Sequence, residues 1–194
     1  MFINWKLREI NLKIVYYGPA LSGKTTNLEF IHANTSPTVR GELVSLKTRE
    51  DRTIYFDFLQ LGLGQIRGLK PKFNLYTVPG QVYYVASRKL VLQGADGVVF
   101  VADSQAGRLQ ENLETLANLE QNLRELGFDP KTFPFILQFN KRDLPDALPI
   151  VQLRRALGRN GAPQVEAVAT KGVGVFDTLK ATINTVVAKV QMPG

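Results

Sequence analysis

Gly18-Pro19-Ala20-Leu21-Ser22-Gly23-Lys24-Thr25 matches the pattern GxxxxGK[ST] at every fixed position. It follows the apolar run Leu12–Tyr17, which reads as a strand. It opens a helical pattern over Thr25–His32 with Leu28 and Ile31 on one side. Glycines let the backbone curl so that successive N–H groups converge on one anion, and the helix that follows adds its positive end. Gly18, Ala20, Leu21, Ser22, Gly23, Lys24, Thr25 and Thr26 are therefore the expected phosphate-binding residues. Lys24 is expected to reach the β- and γ-phosphates, and the Thr25 hydroxyl to ligate Mg²⁺. Chance alone rarely produces this octet, and more rarely still between a strand and a helix.

Outward from this loop, short apolar runs alternate with helical patterns. Thr53–Leu61 reads as a strand with Ile54, Phe56 and Phe58 on one side. Beyond the Gly62-Leu63-Gly64 turn, Phe73–Val78 is its expected antiparallel partner. Val98–Ala102 is a buried strand. Leu109, Leu113, Leu116, Leu119, Leu123 and Leu126 then mark one face of a helix closed by Gly127. Phe135–Phe139 and Val165–Ala169 are further strands, separated by a helix around Leu153–Leu157. Val175, Phe176, Leu179, Ile183, Val186, Val187 and Val190 trace a terminal helix. The pattern predicts an α/β fold, three-layer α/β/α, with a mostly parallel sheet and one antiparallel edge strand. Ligands should lie beyond the carboxyl ends of the strands. With 194 residues and no repeat or linker, a single domain over 1–194 is expected.

Composition narrows the chemistry. Hydrophobic residues make up 44% and charged residues 21%, ordinary values for a globular chain. The absence of cysteine excludes disulfides, thiolate metal sites and a thiol nucleophile, and the single histidine, His32, excludes a multi-histidine metal site. The charge is +7, which favours acidic partners without choosing among them. No run approaches the roughly 18 apolar residues of a membrane span. Neither a signal-peptide pattern, a myristoylation glycine after Met1 nor a prenylation cysteine is present, so a cytoplasmic protein without a lipid anchor is expected.

The strand ending at Phe139 runs into Asn140-Lys141-Arg142-Asp143, an NKxD sequence. A carboxylate at Asp143 can accept from both N1–H and the exocyclic amine of guanine. Adenine lacks that donor pair, so its nucleotides leave the acceptor unsatisfied, at a cost of about 1–3 kcal/mol. The aliphatic stem of Lys141 can lie along the base. GTP and GDP are thus the expected ligands.

These residues together resemble a Ras-like small GTPase, and within that group the MglA family of bacterial polarity and gliding-motility GTPases. The resemblance runs from about Arg8 to Val190. It is most specific at Lys13-Ile14-Val15-Tyr16-Tyr17-Gly18-Pro19, Tyr76-Thr77-Val78-Pro79-Gly80-Gln81 and Asn140-Lys141-Arg142-Asp143-Leu144-Pro145. It implies that Gln81 orients the attacking water, that the Gly80 N–H meets the γ-phosphate, that Thr53 senses the γ-phosphate and Mg²⁺, and that Arg52 is an arginine finger carried by the chain itself. It further implies a last base-contacting loop at Val168, Ala169 and Thr170, with the Ala169 N–H on the guanine oxygen. Two segments, roughly 40–53 and 78–84, would be ordered by GTP. A roadblock-fold dimer of the MglB type, accelerating hydrolysis, is the implied partner, beside downstream polarity or motility effectors.

Two positions depart from the Ras-like pattern. Thr77 stands where an aspartate usually holds Mg²⁺ through water; Asp57, on the neighbouring strand, is a candidate substitute. Ala20 stands where glycine faces the γ-phosphate, and its methyl is expected to slow hydrolysis. Against a switch stand a P-loop kinase, which NKxD and the lack of an Arg-rich lid disfavour, and a nucleotide-binding module that scarcely turns over. Phe2 and Trp5 are expected to cover an edge of the core. Lys47, Arg49, Arg67, Lys70, Lys72, Arg88, Lys89, Arg154, Arg155 and Arg159 read as scattered surface cations without the interleaved aromatics of a nucleic-acid surface. An acidic protein or membrane lipids could meet such a surface.

Overall fold

The computed structural model describes residues 1–46, 56–79, 85–159 and 161–191. In chain order its elements are β1 (Phe2–Asn4), β2 (Glu9–Tyr17), α1 (Lys24–Ala33), β3 (Val44–Leu46), β4 (Phe56–Gly62), β5 (Lys70–Thr77), α2 (Val85–Leu92), β6 (Gly97–Asp103), α3 (Leu109–Glu125), β7 (Phe135–Asn140), α4 (Ile150–Leu157), β8 (Gln164–Glu166) and α5 (Val175–Gln191). One sheet runs β3-β4-β5-β2-β6-β7-β8, with β1 pairing the start of β2 from the side.

Period-two alternation builds both faces of this sheet. In β2, Leu12, Ile14 and Tyr16 enter one core with Val99 and Val101 of β6, beneath Leu28 and Ile31 of α1 and Leu179 and Val186 of α5. Val15 and Tyr17 enter the other with Val98 and Phe100, beneath Leu116, Leu119 and Leu123 of α3 and Leu153 of α4. A strand buried on both sides must be apolar throughout, which is why β6 reads Val98-Val99-Phe100-Val101-Ala102. Truncating a fully buried leucine such as Leu119 to alanine would cost about 2–5 kcal/mol.

The expected class holds. β2 pairs β5 and β6 in parallel, and β6-β7-β8 continue so. β4 runs against β5, as the turn at Gly62–Gly64 implied, and the three-residue β3 lies outside it. The helix over the leucine stripe ends at Glu125, with Gly127 at φ 82 closing it. The last strand is shorter than expected: it ends at Glu166, and Ala169–Lys171 form a 3₁₀ turn.

Two readings of side chains need correcting. Phe2 and Trp5 do not cover the core; they are 65% and 73% exposed, because β1 turns back onto β2 through an open turn and packs Ile3, partly buried, against the core instead. Arg88 is no surface cation: it is 3% exposed on α2, donates Nε–H to Pro79 O at 3.0 Å and lies 5.7 Å from the Tyr17 ring. Among the described residues no helix is long and apolar enough to cross a membrane.

Candidate functional site

The carboxyl ends of β2, β6 and β7 bring three loops together. After β2, Gly18 (φ 146) and Leu21 (φ 62) turn the chain, and Gly23 (φ 100) starts α1. A side chain at Gly23 would run into the Asn140 amide, so only glycine fits there. Gly23 offers α1 no side-chain cap, and no acidic residue sits in its first turn, leaving that end open to an anion. Leu21 is 84% exposed at the rim, so its contribution to the cradle is its backbone. Ser22 is fully buried, and its hydroxyl has no hydrogen-bond partner among the described residues. An orphaned donor inside a curl of amides suits a phosphate oxygen.

Lys24 is buried beneath this curl, its Nζ donating to Pro19 O at 2.6 Å and Gly18 O at 3.1 Å. Burial first, then the nearby Arg88 and Arg108, push its pKa down to about 7, with Asp57 pulling the other way. Carbonyl dipoles alone compensate an ammonium poorly; a polyphosphate would compensate it well.

Thr25 donates its hydroxyl to Asp57 Oδ2 at 2.6 Å. Asp57 also accepts from Ser45 Oγ at 2.7 Å and Thr77 Oγ1 at 3.0 Å, while its own N–H donates to Thr77 Oγ1 at 2.8 Å. Phe58 pairs with Tyr76 across β4 and β5, which sets Asp57 opposite Thr77. No group of three or more His, Cys, Asp or Glu gathers among the described residues. Mg²⁺ prefers hard oxygen donors, and the Thr25 hydroxyl is one that it could share with phosphate and water oxygens. A threonine hydroxyl backed by a carboxylate acceptor fits that role.

On the base side, Asn140 joins the loops. Its Nδ2 donates to Ser22 O at 2.8 Å, and its Oδ1 accepts from the Ala169 N–H at 2.9 Å. The Ala169 amide, expected on the guanine oxygen, donates here to Asn140. Lys141 adopts φ 63 and donates to Asp103 Oδ2 at 2.6 Å. Asp143 accepts from Lys171 at 2.9 Å, and that bond holds its carboxyl below the usual range, keeping it an acceptor. Val168 is buried and Thr170 exposed in the same loop.

Arg108 is the residue that the sequence did not reveal. It sits in the 3₁₀ turn before α3, donates Nη2–H to Ala20 O at 2.7 Å, lies 3.8 Å from Asp103 Oδ2, and bonds Glu111 through Nη1. The fully buried Asp103 is shared with Lys141, so a continuous polar chain links the phosphate loop to the NKxD loop. Only its place between two loops distinguishes Arg108 from an ordinary helix-start arginine. Of the remaining expected residues, Arg52, Thr53, Gly80 and Gln81 lie outside the described residues.

A phosphate loop and an NKxD loop, joined by Asn140 at the carboxyl ends of this sheet, define a Ras-like small GTPase. The chain is 56% identical over 193 residues to the mutual gliding-motility protein MglA of Myxococcus xanthus (strain DK1622), a match covering 100% of this chain and 99% of that protein. No model of a protein family matches the chain. The chain belongs to the MglA family of small GTPases.

Proposed function

We propose that the chain is a GTP-hydrolysing switch for directed cell movement or polarity, acting as one domain over 1–194 in the cytoplasm. The observation that carries the guanine-nucleotide reading is the Asn140 side chain, bonded at once to Ser22 O and the Ala169 N–H. It sets the phosphate-gripping and base-reading loops at one fixed separation, as a single nucleotide spanning both requires. The motility role rests on the likeness to the gliding-motility protein.

In this reading Gly18, Ala20, Leu21, Ser22, Gly23 and Thr26 hold the phosphates through the loop and helix backbone, and Lys24 neutralises the β- and γ-oxygens. Asn140, Lys141 and Asp143 select guanine, with Val168, Ala169 and Thr170 closing over it. Bound Mg²⁺ would neutralise charge between the phosphates; Thr25 and Thr53 are its proposed protein ligands, and Asp57 accepts the Thr25 O–H hydrogen bond. Gly80 would meet the γ-phosphate, Gln81 orient the water and Arg52 stabilise the transferring phosphoryl. A roadblock-fold dimer of the MglB type is the proposed activating partner.

Calorimetry on folded, nucleotide-stripped protein with Mg²⁺ tests the reading. GDP and GTP should bind and ATP should not, whereas preference for ATP sinks it. Asp143→Asn supplies a donor where an acceptor stood, so it should lose GDP and gain xanthosine diphosphate, whose base carries a carbonyl at that edge. GTP turnover should rise when the dimer is added.

A further inference from the structure

At the end of the sheet opposite the nucleotide loops, the turn between β1 and β2 reads Trp5-Lys6-Leu7-Arg8, alternately apolar and cationic, with all four residues exposed. Trp5 is 73% and Leu7 56% exposed, and Phe2 beside them 65%, the densest run of exposed large apolar side chains among the described residues. Exposed apolar groups packed into one turn mark a contact surface more often than chance. The surroundings supply the charge. Arg8 O accepts the Lys70 N–H at 2.8 Å, which brings the start of β5 alongside, with Lys70 exposed and Arg67 exposed while donating one Nη2–H to Gln191 O at 2.6 Å. The neighbouring carboxylates are engaged: Glu9 lies 3.9 Å from Lys72, and Asp96 accepts the Lys13 N–H at 2.8 Å.

We propose that the Trp5–Arg8 turn is a peripheral docking site for an anionic phospholipid bilayer. Trp5, Leu7 and Phe2 enter the headgroup boundary, where tryptophan partitions favourably. Lys6, Arg8 and Lys70 face lipid phosphates. Apolar groups or cations alone bind weakly and reversibly; the two signals on one turn act together. The nine residues of β2 separate this turn from the phosphate loop by about 30 Å at ~3.3 Å per residue, so a docked protein keeps its nucleotide end turned toward solution.

Trp5 is the only tryptophan, so its emission reports this turn directly. The full chain with GDP is mixed with vesicles of phosphatidylcholine alone or with phosphatidylglycerol added. Sedimentation with the anionic vesicles, with a blue shift of emission that high salt reverses, is expected. Lys6→Gln and Arg8→Gln should each weaken binding about fivefold, the effect of roughly one cation at a charged surface. Leu7→Glu should abolish it while GDP retention stays unchanged, which separates lost docking from lost folding. Failure to sediment overturns the proposal. So does sedimentation without a shift, which places the contact on another face. So does a shift that grows with protein concentration in the absence of vesicles, which makes the turn a contact between copies.

Discussion

The Thr25 hydroxyl donates to a carboxylate from a different strand than the Ras-like pattern uses: Asp57 Oδ2 on β4, at 2.6 Å. Antiparallel pairing sets Asp57 opposite Thr77, the β5 position at which Ras-like proteins usually carry an aspartate. A hydroxyl that ligates a cation through a lone pair still has its O–H to donate, and a carboxylate is the strongest acceptor available. Three hydroxyls converge on Asp57, which fixes its orientation before any metal arrives.

Asp57→Asn should therefore weaken Mg²⁺-dependent GDP retention by about 10–100-fold, the usual effect of losing a partner behind a metal ligand. The paired exchange Asp57→Thr with Thr77→Asp returns a carboxylate to the same pocket from the other strand and should recover most of the loss. Mg²⁺ titration of nucleotide release reads both. Equal failure of the single and paired variants would show that position matters more than the presence of the charge.

Arg108 braces the phosphate loop from outside. Its bond to Ala20 O is charge-assisted and partly shielded, with the side chain 27% exposed, so Arg108→Ala should cost about 1–2 kcal/mol and speed nucleotide release about five- to thirtyfold. Arg108→Lys should recover part of this, since one donor can still reach the carbonyl. Release kinetics separate a brace from a purely structural residue. If melting temperature falls and release does not change, the brace is disproved.

What the sequence revealed and what it hid divide along a physical line. The octet ending in Thr25 and the run Asn140–Asp143 were legible because their chemistry is local: each needs particular residues at fixed spacing on one turn. Asp57 was half legible, since the antiparallel pairing of its strand with the next was expected from sequence, but the register across the connection at 63–69 was not. Arg108, Asp103 and Arg88 were not. A cation's sequence neighbours do not say which distant carbonyl or carboxylate it will meet, and Arg88 meets Pro79 only because α2 folds back there. Phe2 and Trp5 misled for the converse reason: aromatic residues beside a strand suggest a core, but the turn that follows points them outward.

Nucleotide binding should take up protons above neutral pH. Burial holds Lys24 down to about 7, and the negative charge of a polyphosphate favours its ammonium form. Between about 7 and the raised pKa of the complex, the bound state carries more protons than the free one. Affinity for GDP then falls as pH rises, at most tenfold per unit, and this contribution is flat below 7. Calorimetry in two buffers of different ionisation enthalpy at pH 8 should show uptake, and a variant with Lys24→Met should show none. Release of protons at that pH contradicts the assignment.

Ala20→Gly should speed hydrolysis. The Ala20 carbonyl is tied to Arg108, so the loop cannot readily retreat to make room for the methyl where water, Gln81 and the γ-phosphate are proposed to meet. Crowding a packed transition state by one methyl costs about 1–3 kcal/mol, so Ala20→Gly should raise single-turnover GTP hydrolysis about tenfold, within a range of 5- to 150-fold. GDP affinity should barely change, because the amides that grip the phosphates remain. Pre-loaded protein mixed with Mg²⁺ and followed for free phosphate gives the rate directly. Identical rates for alanine and glycine would mean that the methyl lies clear of the reacting groups.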